Sequence, residues 1–288
     1  MTVVVKIGGA RAVEPEGALA DVAALVEDGT DVVIVHGGST AVDDALERMG
    51  IDPEYVETPA GVVGRFTDEE TMDVFKMAMA GLVNTDLVTG LRNQGVDAVG
   101  LSGVDGGLFT GARKSAIRVL EDGKKKIRRG DHSGSIETVN GGLLATLLDG
   151  GYTPVASPPM LAGDVAERRS ADSETESRQW IAVNTDADRA AAATAAELDA
   201  TLVSLTDVDG VYRDPDDSST LIERVETHEQ YDELKAAAEG FMGRKVMAAT
   251  EALEGGAERA VVANANADEP IRSALAGGGT HVLPGAIE

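Results

Sequence analysis

Apolar residues follow two rhythms along the chain. Short, continuous and often β-branched runs fall at 3–5, 32–35, 96–101, 153–157, 201–205 and 260–263. Such runs suit strands buried on both faces of a parallel sheet. Between them, apolar side chains recur every three to four positions at 16–27, 40–49, 68–91, 142–149, 228–239 and 242–255, and an alanine-rich stretch ends near 197. These predict helices with one face on a core. Residues 58–67 read as a glycine- and proline-containing loop or short hairpin. Segments 110–119 and 136–140 and a strand at 281–283 complete the series, while 162–179, nearly devoid of apolar residues, read as an exposed excursion. Alternating strands and helices predict the α/β class with a mainly parallel sheet.

Two strands end alike. The first runs through Val5 into Lys6, Ile7 and the pair Gly8-Gly9; the second runs through Val35 into His36, Gly37, Gly38 and Ser39. With a helix between them they make one βαβ unit, and its glycine turns face one crevice at the carboxyl ends of the strands. Backbone amides freed there, beside a lysine, suit a phosphate; a plain structural turn with a solvent-facing lysine is the alternative. No GxGxxG fingerprint and no P-loop occurs.

A chain of 288 residues allows one large domain or two lobes. Acids outnumber bases fifty to twenty-five, for a net charge of −25, and 17 of the bases are arginine. So much negative charge repels itself unless salt screens it, which points to a halophilic setting; regular apolar periodicity argues against an acidic disordered chain. The absence of cysteine removes disulfides and thiolate metal sites. Met1 leads straight into a strand and no apolar run approaches eighteen residues, so the expectation is a cytoplasmic protein without a membrane span.

One stretch breaks the acidic pattern. Residues 113–129 hold eight of the 25 bases, namely Arg113, Lys114, Arg118, Lys124, Lys125, Lys126, Arg128 and Arg129, against Glu121 and Asp122. A solvated hairpin turn would be the ordinary account. An anionic partner is the other: nucleic acid lacks interleaved aromatics or a recognition fold here, ATP is too small for eight cations, and an acidic protein steered by complementary charge fits better.

Taken in order, Lys6-Ile7-Gly8-Gly9, His36-Gly37-Gly38, Gly64-Arg65, Val183-Asn184-Thr185-Asp186, Leu205-Thr206-Asp207-Val208-Asp209-Gly210 and Gly240-Phe241-Met242-Gly243-Arg244-Lys245 form a series that resembles the amino acid kinase family, in its N-acetylglutamate kinase branch, over essentially the whole length. The resemblance implies a three-layer αβα sandwich of the carbamate kinase-like kind. It implies an acid-binding N-terminal lobe over about 1–195 and an ATP-binding C-terminal lobe over about 196–288, in a homodimer. It also implies roles. Lys6 and Lys245 would flank the transferred phosphoryl group, supplying the charge that a loose transition state needs, and Asp186 would orient them. Gly8, Gly9, Thr206, Asp207, Asp209, Gly210 and Tyr212 would hold ATP with the lysines; Gly37, Gly38, Ser39, Arg65 and Asn184 would hold the acceptor. Mg²⁺ would accompany the nucleotide, with no protein metal ligands assigned. Plainer roles stand beside these: a helix cap for Asp186, a helix-surface lysine for Lys245, a surface turn for 206–210.

Arg65 matches an arginine that binds an acid, and guanidinium takes carboxylate bidentately. A carboxylate acceptor is already ionised at neutral pH and needs no general base. Of the four histidines, His36 reads as a turn residue near the site and 132, 228 and 281 as structural or surface. Two departures stand out: Ser39 replaces a third glycine, and Ala182 occupies the place of a substrate-binding asparagine. Segments 65–71 and 113–140 further resemble a subset of the family that phosphorylates glutamate or aminoadipate carried on the acidic protein LysW, in arginine or lysine synthesis. On that resemblance Lys124, Lys125, Lys126, Arg128 and Arg129 would meet the carrier. A kinase for free N-acetylglutamate and a non-catalytic nucleotide sensor are the competing readings.

Overall fold

The computed structural model describes residues 1–8, 15–59, 61, 63–121, 123–164, 179–238 and 240–287. In chain order the elements are β1 (Thr2–Ile7), α1 (Glu16–Glu27), β2 (Asp31–His36), α2 (Ser39–Arg48), β3 (Tyr55–Glu57), β4 (Val63–Arg65) and α3 (Glu69–Lys76). A π-helical segment (Met77–Val83) joins α3 to α4 (Asn84–Asn93). Then come β5 (Ala98–Ser102), β6 (Phe109–Glu121), β7 (Lys124–Val139), α5 (Gly141–Asp149), β8 (Thr153–Ser157), β9 (Met160–Asp164), β10 (Gln179–Val183) and α6 (Ala187–Glu197). The last third holds β11 (Thr201–Thr206), β12 (Arg224–Val225), α7 (His228–Ala237), α8 (Gly240–Glu254), β13 (Arg259–Asn264), α9 (Pro270–Leu275) and β14 (Thr280–Val282).

Eight strands form one sheet in the order β12-β14-β13-β11-β1-β2-β8-β5. Its pairs are parallel except β13 with β14. The expected first strand lies at its centre, because Val3, Val4 and Val5 are apolar on both faces. Alternate side chains of a strand face opposite ways, and here they split between two cores. Val3 and Val5 pack with Leu19, Val22, Leu91 and Ile271 from α1, α4 and α9. Val4, Val33 and Val35 pack with Leu144 from α5 and with Ala190, Ala191, Ala195, Ala249 and Ala252 from α6 and α8. Helices on both faces of a central sheet make the three-layer sandwich that the resemblance implies. The small side chains of α6 let it lie close to both the sheet and α8.

The antiparallel sheet β10-β9-β6-β7 goes beyond the sequence reading. Instead of separate segments at 110–119 and 136–140, the chain makes one long hairpin whose second strand starts at Lys124. The excursion expected at 162–179 begins and ends in strands β9 and β10; its middle, 165–178, lies outside the described residues. Among the described residues no helix is long and apolar enough to cross a membrane.

Candidate active site

Lys6 sits near the carboxyl end of β1, on the face that Val4 shares with α6 and α8. Its Nζ lies 2.8 Å from Oδ1 of Asp188, and the Nζ of Lys245, in the second turn of α8, lies 3.6 Å from the same oxygen. The side chains are only 7%, 11% and 15% exposed for Lys6, Lys245 and Asp188, so two cations share one anion in a largely desolvated place. Burial by itself would push the Asp188 carboxyl up, but the ammonium groups of Lys6 and Lys245 together hold it below its ordinary value. Lys245 is shifted down, by burial first and by Lys6 second, with Asp188 opposing. Two lysines against one aspartate leave an unbalanced positive charge at the start of two helices, whose N-terminal amides also favour an anion.

The carboxylate between the lysines is therefore that of Asp188. Asp186 caps α6: its Oδ1 accepts from the backbone N–H groups of Asp188 and Arg189 at 2.8 and 3.2 Å. The cap sets where the first turn starts, and the second residue of that turn faces β1.

At the glycine turns, Gly37 N–H donates to the Ile7 carbonyl at 3.0 Å, tying the ends of β1 and β2 together. Gly8 is half-buried beside it; Gly9 lies outside the described residues. A Cβ on Gly38 would stand 2.6 Å from Met79 Sδ and 3.3 Å from Val83, so the π-helical segment rests directly on this turn. Ser39 opens α2. His36 is buried, with Nδ1 3.0 Å from the Gly37 carbonyl and Nε2 3.0 Å from Asn84 Nδ2; the amide donates to Nε2, which leaves the ring proton on Nδ1. Burial lowers its pKa to about 4, and nearby Lys6 pushes the same way.

Arg65, at the end of β4, is held on one side. Its Nε and Nη2 donate to Asp43 Oδ1 at 3.1 and 2.8 Å, and Nη2 donates to the Ser39 carbonyl at 2.8 Å. Tyr55 completes the clamp by donating to Asp43 Oδ2 at 2.8 Å. Asn184 is fixed through its backbone to β7, giving its N–H to His132 O at 2.7 Å and accepting from Gly134 N–H at 2.8 Å; its side-chain amide donates to Thr67 Oγ1 at 3.0 Å.

Beyond β11, Thr206 donates to Asp207 Oδ1 at 3.0 Å. The Asp209 carboxylate receives Asn264 Nδ2 at 2.8 Å and the Tyr212 hydroxyl at 2.9 Å, which lower its pKa. Gly210 is pressed against Thr280, whose Oγ1 would stand 2.5 Å from an added Cβ. Among the described residues no group of three or more His, Asp or Glu side chains could hold a metal. In the basic segment, Arg128 pairs with Glu54 and lies 3.9 Å over the Phe66 ring, and Lys126 pairs with Glu121 at 2.7 Å; Lys124, Lys125 and Arg129 are exposed.

The structure thus joins Lys6 with Lys245, Arg65 with Ser39, and Asp209 with Tyr212. Asp188, Asp43, Asn84 and Asn264 escape sequence reasoning. Asp188 had one signal, its place in the first turn after an N-cap; Asn264 only becomes Asp209's neighbour because β13 pairs with β11 in the register Thr206 to Asn264.

A largely parallel α/β sandwich that gathers two lysines, Gly8 and the Gly37-Gly38 turn near the carboxyl ends of its central strands is built for a phosphoryl anion. The chain belongs to the amino acid kinase family, whose model matches residues 1–264, and it is a kinase of that family. A [LysW]-aminoadipate kinase of Thermus thermophilus is 42% identical over 286 residues, 97% of this chain and 99% of that protein. An acetylglutamate kinase of Methanopyrus kandleri is 40% identical over 264 residues, 91% and 94% of the two chains. Among solved structures, an N-acetylglutamate synthase from Neisseria gonorrhoeae superposes with a TM-score of 0.72 at 25% identity, covering 98% of this chain and 59% of that one.

Proposed function

We propose that this kinase transfers the γ-phosphoryl group of ATP to the side-chain carboxylate of glutamate or 2-aminoadipate borne on a small acidic carrier protein of the LysW kind, making an acyl phosphate for arginine or lysine synthesis. The observation that carries the transfer is the pair of ammonium groups on Asp188. An acceptor oxygen attacks phosphorus, the bond from phosphorus to the β–γ bridging oxygen breaks, and ADP leaves with the displaced electrons. Lys6 and Lys245 neutralise the charge that spreads over the transferred group. Asp188 keeps both ammonium groups at one place before the nucleotide arrives. Arg65 presents its remaining edge to an acceptor carboxylate, beside Ser39 and Asn184. Thr206, Asp207, Asp209, Gly210 and Tyr212 would hold the nucleotide beyond β11, with Gly8 at the end of β1; Gly9 is assigned to the same role by the family resemblance alone. Mg²⁺ would accompany the nucleotide without a dedicated set of protein ligands among the described residues and would supply further charge neutralisation.

The carrier reading draws on the names of relatives and on the basic segment of 113–129. A lobe for the acid over about 1–195 and one for ATP over about 196–288, a homodimer and a salt-rich cytoplasm belong to the same proposal, the lobes and dimer resting on family resemblance and the salt on composition. The test compares acceptors by coupled ADP release and hydroxamate trapping of the acyl phosphate. Carrier-linked glutamate or aminoadipate should be used at least a hundredfold better in kcat/KM than free N-acetylglutamate; the reverse order overturns the carrier and supports the free acid. Lys245→Met should cut kcat at least a hundredfold in a folded protein, the order expected for loss of one transition-state cation. Unchanged turnover would remove the kinase mechanism.

A further inference from the structure

The β6–β7 hairpin has two unlike faces. Directly opposed residues of an antiparallel pair share a face, and here Ile117 opposes Arg128, Val119 opposes Lys126 and Glu121 opposes Lys124. That face turns inward at Ile117, Val119 and Arg128, while Lys124 and Lys126 on it stay exposed. Val119 is fully buried, Arg128 covers Phe66 and pairs with Glu54, and Lys126 pairs with Glu121. The intervening pairs, Ala116 with Arg129, Arg118 with Ile127 and Leu120 with Lys125, make the outward face. Arg118, Lys125 and Arg129 are exposed there and have no ion-pair partner among the described residues. Between them stands Ile127, 69% exposed, the most exposed large apolar side chain among the described residues.

We propose that this outward face is the docking surface for the acidic carrier domain, with Ile127 as the apolar anchor and Arg118, Lys125 and Arg129 as its cationic rim; this rests on the carrier reading above. Charge decides the occupant. Three cations with no anion on their own face among the described residues repel one another, in a chain whose net charge is −25, until a negative partner covers them. An apolar centre ringed by charge is also the ordinary anatomy of an energetically productive interface. A nucleic acid would want aromatic faces to stack on, and this face has none. Of the cations on the inward face, Lys126 and Arg128 already have counter-charges within the molecule, in Glu121 and Glu54, and contribute little; Lys124 stands exposed at the hairpin end opposite Glu121, away from Ile127.

Reach fits as well. Ser133 of β7 is bridged to Asn184 at the edge of the site, and it follows Arg129 by four positions and Lys125 by eight. At the rise of a strand that is roughly 13–26 Å, with a turn aside at Gly130, which is in the left-handed region. A carrier seated on the outward face would deliver an acid on a tether of about four to eight extended residues.

The decisive measurement is the KM for carrier-linked acid and the Kd for the bare acidic carrier, by calorimetry across a salt series. The triple change Arg118→Glu, Lys125→Glu and Arg129→Glu should raise both at least thirtyfold, and Ile127→Glu at least tenfold. The kcat and the KM for ATP should stay within twofold, as should everything in Lys235→Glu, a single charge reversal on α7 equal to each of the three; these also report that the variants are folded. Lys126→Glu should cost less than threefold. Carrier affinity that survives the triple change but is lost in Lys126→Glu moves docking to the inward face and ends the proposal, with the carrier reading intact. Wild-type protein that ignores the carrier but turns over free N-acetylglutamate ends the carrier reading itself. Loss of self-association or of RNA binding in the triple variant, without loss of carrier affinity, assigns the face to another occupant and equally refutes the proposal.

Discussion

Asp186 and Asp188 are two residues apart and do different work, so isosteric changes separate them. Asparagine caps a helix about as well as aspartate, and Asp186→Asn should cost under about 1 kcal/mol in urea unfolding with near-normal turnover. Asp188→Asn removes the anion that opposes the downward shift of Lys245. Turnover should fall at least tenfold. Because Lys245 acts as a cation, activity is lost as pH rises through its pKa, and the alkaline limb of kcat against pH should move to lower pH in this variant. Equal effects of the two changes would mean that the shared carboxylate has no special role. His36 offers a stability test. Its folded pKa is about 4 against an ordinary 6.5, so between those values the unfolded chain binds the extra proton. The contribution is whole above pH 6.5 and is lost as pH falls to about 4, amounting to ~3 kcal/mol at the limit. Urea unfolding at pH 7 and pH 4.5 should differ accordingly, and His36→Gln should flatten the difference.

At the scale of elements, the glycine turn after β2 and the π-helical segment are one packing unit. Space is what demands a small residue at Gly38, because Met79 Sδ and Val83 occupy the room a Cβ would need. Met79 is buried and has little room to retreat. Gly38→Ala should therefore destabilise by about 1–3 kcal/mol through overpacking. Adding Met79→Ala, itself a cavity, should give a double mutant more stable than the sum of the two losses by at least about 1 kcal/mol. Strict additivity would show that the segment and the turn do not press on each other. The alanines of α6 work in the opposite sense: they remove bulk so that the start of α6 can bring Asp188 between β1 and α8.

Across the whole molecule the surface charge sets the conditions for stability. A net charge of −25 repels itself over distances that salt controls, since the screening length shrinks from about 30 Å at 0.01 M to about 3 Å at 1 M. Thermal unfolding followed by circular dichroism should show Tm rising with KCl, by roughly 5–10 °C over that range. A flat or falling Tm would mean that the acids are spaced or paired well enough to be harmless. The two cations of the site sit inside this negative field, and their excess charge is kept effective by burial, where water screens it least.

The periodicity of the chain was enough to determine the alternation of strands and helices, the burial of β1 on both faces and the glycine turn after β2, because those depend on local pattern and on which faces must be buried; the place of β1 within the strand order was decided by the fold. Lys6 stood out as a lysine beside glycines at a strand end, and the family resemblance of the ordered motifs marked Lys245 and Arg65 as chemical candidates. The partners of these groups were not legible. That Asp188 and not Asp186 meets the lysines follows from helix phase and from the approach of α6 to α8. That Asp43 engages Arg65 follows from where α2, packed on α3 and the π-helical segment, stands relative to β4. The basic run was visible as composition, but which of its cations face outward was decided only when a strand register placed Arg128 over Phe66 and left Ile127 in water. Local sequence sets what each segment is; distance across the fold sets which charge each group meets, and only the packed chain supplies that distance.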